Sequence, residues 1–148
     1  MDKDKPIIII GSDHAAFELK EKIKAYLLGK GYSVEDAGTH STASVSYVDY
    51  GRKVAGAVSR GKFSRGILLC GTGLGMSMVA NRFCNVRAAL CSDIFSVKMS
   101  RVHNDSNILV LGGRILGGRQ GQGRQRRRGK GGRHEGELGG ADHALRVS

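Results

Sequence analysis

Through the first 117 residues, short aliphatic runs alternate with stretches whose apolar residues fall at helical spacing, and this alternation constrains the fold more than any other feature. The runs are Ile7–Ile10, one beginning at Tyr32–Val34, Gly66–Cys70, Val86–Cys91 and Ile108–Leu111. Brief apolar runs without a polar face read as parallel strands that need cover on both sides. Between the first two, Ala16, Leu19, Ile23 and Leu27 recur at helical spacing among Lys20, Glu21, Lys22 and Lys24. Ser12 or Asp13 is placed to cap that helix, and Gly29 and Gly31 to end it. Tyr47, Tyr50, Val54 and Val58 stripe a second helix that stops near Gly61. Residues 73–83 and 94–102 supply two more. The pattern predicts an α/β fold: a Rossmann-like three-layer α/β/α arrangement around a five-stranded parallel sheet, with ligands beyond the carboxyl ends of the strands.

A chain of 148 residues is one domain by size. No apolar run approaches the ~20 residues needed to cross a membrane. MDKDKPIIII reads as the approach to a first strand rather than a leader. Cys70, Cys84 and Cys91 are odd in number and lack metal-ligand spacing, so neither a disulfide framework nor a zinc site is expected. Cys84 and Cys91 are expected to serve packing. No metal or cofactor is called for, and a reducing, cytoplasmic location is expected.

The net charge of +11 divides unevenly. Residues 118–148 hold eight Lys/Arg against three Asp/Glu, a net of +5, and the preceding 117 hold sixteen against ten, a net of +6. That body is mildly basic, as suits a phosphate-handling enzyme. From Gly118 the composition turns to Gly and Arg, with nine glycines between 118 and 140 and few large aliphatics. Each glycine disfavours a helix by about 1 kcal/mol relative to alanine. A domain over 1–117 followed by a divergent, disordered tail over 118–148 is therefore expected. Nucleic acid would be engaged, if at all, through that tail. So abrupt a change is also what a shifted reading frame or a divergent terminal exon would give.

The chemistry-bearing residues cluster in three segments. LLCGTGLGM, residues 68–76, runs a strand into a cysteine and three glycines. A glycine turn entering a helix presents unpaired backbone N–H groups and the positive end of the helix dipole, suited to a phosphate or an enediolate. Cys70 stands at the mouth of that field, which favours thiolate over thiol and suits a base or nucleophile. The segment is neither a P-loop nor a full dinucleotide fingerprint. Asp13 and His14 form a polar pair after the first strand. His103-Asn104-Asp105 lies at a helix end just before the last strand, where it reaches the same pocket only through a fold-back or from a second subunit. A base, an oxyanion hole and a proton shuttle suffice for proton abstraction α to a carbonyl.

Taken together, IIIIGSDHAAFELKEKI, SYVDYG, GILLCGTGLGMSMVANRF, VRAALCSD and SRVHNDSNILVLGGRILG resemble the type B ribose-5-phosphate isomerases. These belong to a sugar-phosphate isomerase group that also contains the galactose-6-phosphate isomerase subunits. The likeness covers roughly residues 7–117. It implies metal-free interconversion of ribose 5-phosphate and ribulose 5-phosphate, with Cys70 as the base between C1 and C2. By the same resemblance Gly71, Gly73 and Gly75 belong to the backbone cradle of the enediolate, Thr72 assists proton movement between oxygens, and His103 helps open the furanose ring. Asp13 and Tyr47 match sugar contacts, Asn104 an enediolate-side contact, and His14 and Arg114 phosphate-side residues. The family pattern implies a homodimer whose histidine segment enters the partner's pocket. A six-carbon aldose phosphate remains an alternative substrate. The other alternative is an impaired sugar-phosphate-binding or RNA-associating protein.

The chain departs from that pattern after Leu116. Family members continue with an amphipathic helix and a GGRHxxRR-like ending whose arginines grip phosphate. Here the ending is GGRHEGE, so Arg133 and His134 match but Glu137 stands where an arginine is expected. The segment before it is shorter and does not have the pattern of the helix. Loss of one charge-assisted phosphate contact, about 1.5–3 kcal/mol, predicts a ten- to hundredfold lower kcat/KM. Val48 replaces a commoner proline, a minor change.

Overall fold

The computed structural model describes residues 5–116 and Ala141. Five strands alternate with helices: β1 (Ile8–Ser12), α1 (Phe17–Gly29), β2 (Val34–Asp36), α2 (Tyr47–Ser59), β3 (Arg65–Cys70), α3 (Leu74–Ala80), β4 (Ala88–Leu90), α4 (Ile94–Asn104), β5 (Ile108–Gly112) and the short α5 (Gly113–Leu116). All strand pairings are parallel, in the order β2-β1-β3-β5-β4. The three central strands are longest and fully or almost fully buried, while the two edge strands have three residues each. Short edges leave little ladder open to another chain.

Successive strand residues point to opposite faces, and the core divides accordingly. Ile8, Ile10, Ile67, Leu69, Leu109 and Leu111 pack with Leu19, Ile23 and Leu27 of α1 and Val97 of α4. Ile9, Leu68, Cys70, Ile108 and Val110 pack with Val54, Ala55 and Val58 of α2 and Met76 and Ala80 of α3. The sheet is thus covered on both faces, as its apolar runs demand, and the three-layer expectation holds.

Element ends differ from the sequence reading for identifiable reasons. Of the two cap candidates it is Asp13 that caps the first helical turn, its Oδ1 accepting from the N–H groups of Ala15 (3.0 Å) and Ala16 (3.3 Å). The third helix stops at Ala80 rather than Phe83 because Asn81 turns its amide across the gap. Its Nδ2 donates to the carbonyls of Ser77 and Ala88, and its Oδ1 accepts from the Ala88 N–H. The Arg87 N–H donates to Asn107 Oδ1 (2.8 Å), so regular pairing begins only at Ala88 rather than Val86.

The expected boundary at 117 and the disordered tail fall outside the described residues, except at Ala141. That residue is helical, fully buried and part of the α1-side core. No described helix is long and apolar enough to cross a membrane.

Candidate active site

Three neighbouring strands, β1, β3 and β5, deliver three segments to one sheet edge. Ser12 pairs with Leu69, and Cys70 with Gly112, so Asp13, the loop after Cys70 and Arg114 emerge side by side. Sequence separations of 44 residues and more vanish at this edge because the strand order is not the chain order.

Cys70 is 5 % exposed, and its Sγ accepts a hydrogen bond from the Gly73 N–H at 3.1 Å. The loop can turn this tightly because Gly73 adopts φ +80, a region that favours glycine. A side chain there would meet Leu90 and, at 3.1 Å, the Leu111 carbonyl carbon. Thr72 is exposed, and its Oγ1 accepts from the Leu74 N–H (3.3 Å). Two N–H groups of the expected anion cradle are therefore already engaged, one on sulfur and one on hydroxyl. The N–H of Gly75 lies in the first turn of α3, where a helix offers no internal acceptor.

The loop is walled from two sides. The Arg114 N–H donates to the Gly71 carbonyl (2.9 Å), and the Arg114 side chain lies over Gly71. A methyl group built on Gly71 would sit 3.4 Å from Nη1 of that guanidinium. Opposite, the Tyr47 ring crosses Gly75, within 2.6 Å of where a side chain would begin. Tyr47 opens α2, whose cap Ser46 accepts from the Val48 N–H, and remains 39 % exposed at the cleft mouth.

His14 follows the capping Asp13. Its Nδ1 accepts from the Val45 N–H (3.1 Å), which assigns the ring proton of the neutral imidazole to Nε2 and, among the described residues, leaves that atom without an acceptor. Asp13 uses only Oδ1 in the cap, so among the described residues Oδ2 is available to a ligand hydroxyl. Asp13, His14, Tyr47, Cys70, Thr72, the three loop glycines and Arg114 thus gather at this edge.

His103 and Asn104 do not join them within one chain. Both are exposed at the carboxyl end of α4, which runs back to the amino edge of the sheet. Ile108, at the start of β5, pairs with Gly66, and Gly112, at its end, with Cys70. Four residues of strand, about 13 Å at 3.3 Å per residue, separate those ends. Arg133 lies outside the described residues.

The other cysteines have different settings. Burial pushes the Cys91 thiol up, against a weaker opposing hydrogen bond with Ser100, in keeping with a packing role. Cys84, expected to pack, is exposed instead, on a connection between α3 and β4 that turns Phe83 and Val86 to the core. The sequence reading also missed the Val45 N–H that orients His14. It named Asp105 but missed Arg101 and the pairing of the two, although an Arg and an Asp four apart at a helix end are a readable signal.

The fold and this edge define a doubly wound α/β protein that places a cysteine beside a glycine-rich turn entering a helix. The family described as Ribose/Galactose Isomerase matches residues 8–123, and the chain belongs to that family. Ribose-5-phosphate isomerase B of Escherichia coli strain K12 is 46 % identical over 110 residues, 74 % of each chain. The solved ribose-5-phosphate isomerase B of Clostridium thermocellum superposes with a TM-score of 0.81 at 42 % identity, covering 95 % of this chain and 84 % of the other. That of Thermotoga maritima is 57 % identical, with a TM-score of 0.73, over 75 % of this chain and 77 % of the other.

Proposed function

We propose that this chain is an aldose–ketose isomerase that interconverts ribose 5-phosphate and ribulose 5-phosphate. The observation that carries the reading is the hydrogen bond from the Gly73 N–H to the Cys70 sulfur, in a loop flanked by Asp13, His14 and Arg114. An anionic sulfur so placed has a donor of its own and opens onto a region lined for an anionic ligand.

In the proposed mechanism the Cys70 thiolate takes the proton from C2 of the open-chain aldose. The electron pair moves into the C1–C2 bond and the carbonyl becomes an enediolate oxygen, held by the first-turn N–H groups of α3. Thr72 moves a proton between O1 and O2, and the thiol returns its proton to C1, completing the ketose. Asp13 and Tyr47 hold sugar hydroxyls. The cations Arg114 and Arg133, with the Nε2–H of His14, hold phosphate. Two copies assemble as a cytoplasmic homodimer in which His103 and Asn104 reach the partner's Cys70 edge, His103 to open the furanose ring. The exposed Phe95 and Val102, seven residues apart on α4, supply an apolar stripe leading to those two residues.

The test is ribose 5-phosphate turnover by the purified chain with EDTA present, beside Cys70→Ala and with galactose 6-phosphate as a second substrate. Turnover of the pentose that survives EDTA and is lost in the variant supports the reading. Near-full activity in Cys70→Ala removes the assigned base, and faster turnover of the hexose changes the substrate.

A further inference from the structure

We propose that Arg101 is a positioning residue for this reaction, fixing the turn that carries His103 and Asn104. The proposal rests on the role given to His103 above. Helix α4 ends in a turn that ordinary fraying would loosen, because its last carbonyls have no partners within the helix. Here the turn is tied down on several sides. Asp105 takes φ +46 and ψ +44, a left-handed conformation that aspartate adopts more readily than most residues. The Arg101 guanidinium, nine-tenths buried, donates through Nη1 both to Asp105 Oδ1 (3.0 Å) and to the Ser106 carbonyl. It therefore bridges the residues that immediately follow His103 and Asn104.

Neighbouring bonds close the loop. The Ser106 N–H donates to the Ser100 carbonyl (3.0 Å), and the two serine hydroxyls are 2.8 Å apart. Arg87 Nε donates to the Asn104 carbonyl from the strand side. His103 and Asn104 thus stand exposed on a backbone held at both shoulders. A side chain that must enter a neighbouring subunit's site with sub-ångström accuracy needs such support, since a 1 Å displacement can cost about a hundredfold in rate. Lysine at 101 keeps the charge but replaces the one planar nitrogen that reaches both acceptors with a tetrahedral ammonium on a flexible stem.

The experiment is a double-mutant cycle of Arg101→Lys and His103→Asn in the full chain, with ribose 5-phosphate as substrate. Arg101→Lys is expected to lower kcat about tenfold with KM within about twofold, and to lower it by less than about twofold in the His103→Asn background. An activity-independent readout is the imidazole C–H resonance of His103, assigned by its absence in His103→Asn. In Arg101→Lys it is expected to shift or broaden while that of His14 stays fixed. Asp105→Gly removes one anchor from an 85 % exposed side chain while keeping the left-handed backbone, so the fold survives it; a partial loss of kcat restored by Asp105→Asn is expected. Equal losses in both backgrounds, or an unmoved His103 resonance, overturn the proposal alone. Parental kcat in His103→Asn overturns this proposal together with the role of His103.

Discussion

The Gly73 N–H lies 3.1 Å from the Cys70 sulfur and points its hydrogen at it. That contact goes with a left-handed Gly73, and Leu90 and the Leu111 carbonyl occupy the space a β-carbon there would need. Gly73→Ala adds both left-handed strain and overlap in a buried place. It is expected to destabilise the fold by about 2–4 kcal/mol and to abolish isomerase activity. Denaturant unfolding and turnover together check it, and a stable, active variant would show that the loop does not depend on this conformation.

Gly75 gives a contrasting case. A methyl group there collides with the far edge of the Tyr47 ring, and that ring is free to swing outward because it is partly exposed. Gly75→Ala is expected to cost less than about 1 kcal/mol in stability. Displacing Tyr47 from the cleft is expected to raise KM for the sugar phosphate about fivefold or more, roughly the loss of one hydrogen bond. Steady-state kinetics beside thermal unfolding separates the two effects.

Acid sensitivity centres on Asp36. Burial works against its carboxylate, but hydrogen bonds from Lys20 and Lys24 and from the Gly38 N–H outweigh that, holding the group at about 2. Because the folded value lies below the unfolded one near 3.8, the stabilisation is fully present above about pH 4 and is lost as pH falls through about 2. Discounted for solvent around the half-buried Lys24, it amounts to about 1–2 kcal/mol. Asp36→Asn is expected to be less stable than the parent at pH 7, with the gap narrowing toward pH 2. A gap independent of pH would remove the ionic explanation.

Ala141 sits fully buried in the α1-side core. Ala141→Asp would place an unpaired charge in that apolar cluster, and is expected to destabilise the fold by about 3 kcal/mol. Unchanged unfolding would mean that this residue contributes nothing to the core in solution.

Shared sites can be tested by mixing. If each site combines Cys70 from one copy with His103 from the other, a mixed dimer of Cys70→Ala and His103→Asn holds one site with both defects and one intact. Equal mixing and re-equilibration of two nearly inactive variants is expected to recover about a quarter of parental turnover. No recovery, from subunits shown to exchange, would exclude shared sites.

The sheet was legible in the sequence because each central strand is a continuous apolar run and each helix carries its own stripe. The strand order was not, since inserting β5 between β3 and β4 leaves no local trace. The glycines after Cys70 were readable from their spacing as a turn entering a helix. Their relation to Arg114, and that of Gly75 to Tyr47, were not, because those contacts join residues 28 or more positions apart. Asn81 shows the same limit: its side chain pairs with the Ala88 backbone and ends a helix that periodicity would have carried to Phe83.

The position of β5 also bears on the order in which the molecule acquires its parts. β3 gains its second neighbour only when residues 108–112 slot in beside it, and Arg114 reaches the Cys70 loop in the same event. Helices α1 and α2 and the β1–β3 pairing depend only on chain already synthesised by then. During synthesis, helical signal is therefore expected to appear before catalysis, which must wait until residues 108–114 have emerged.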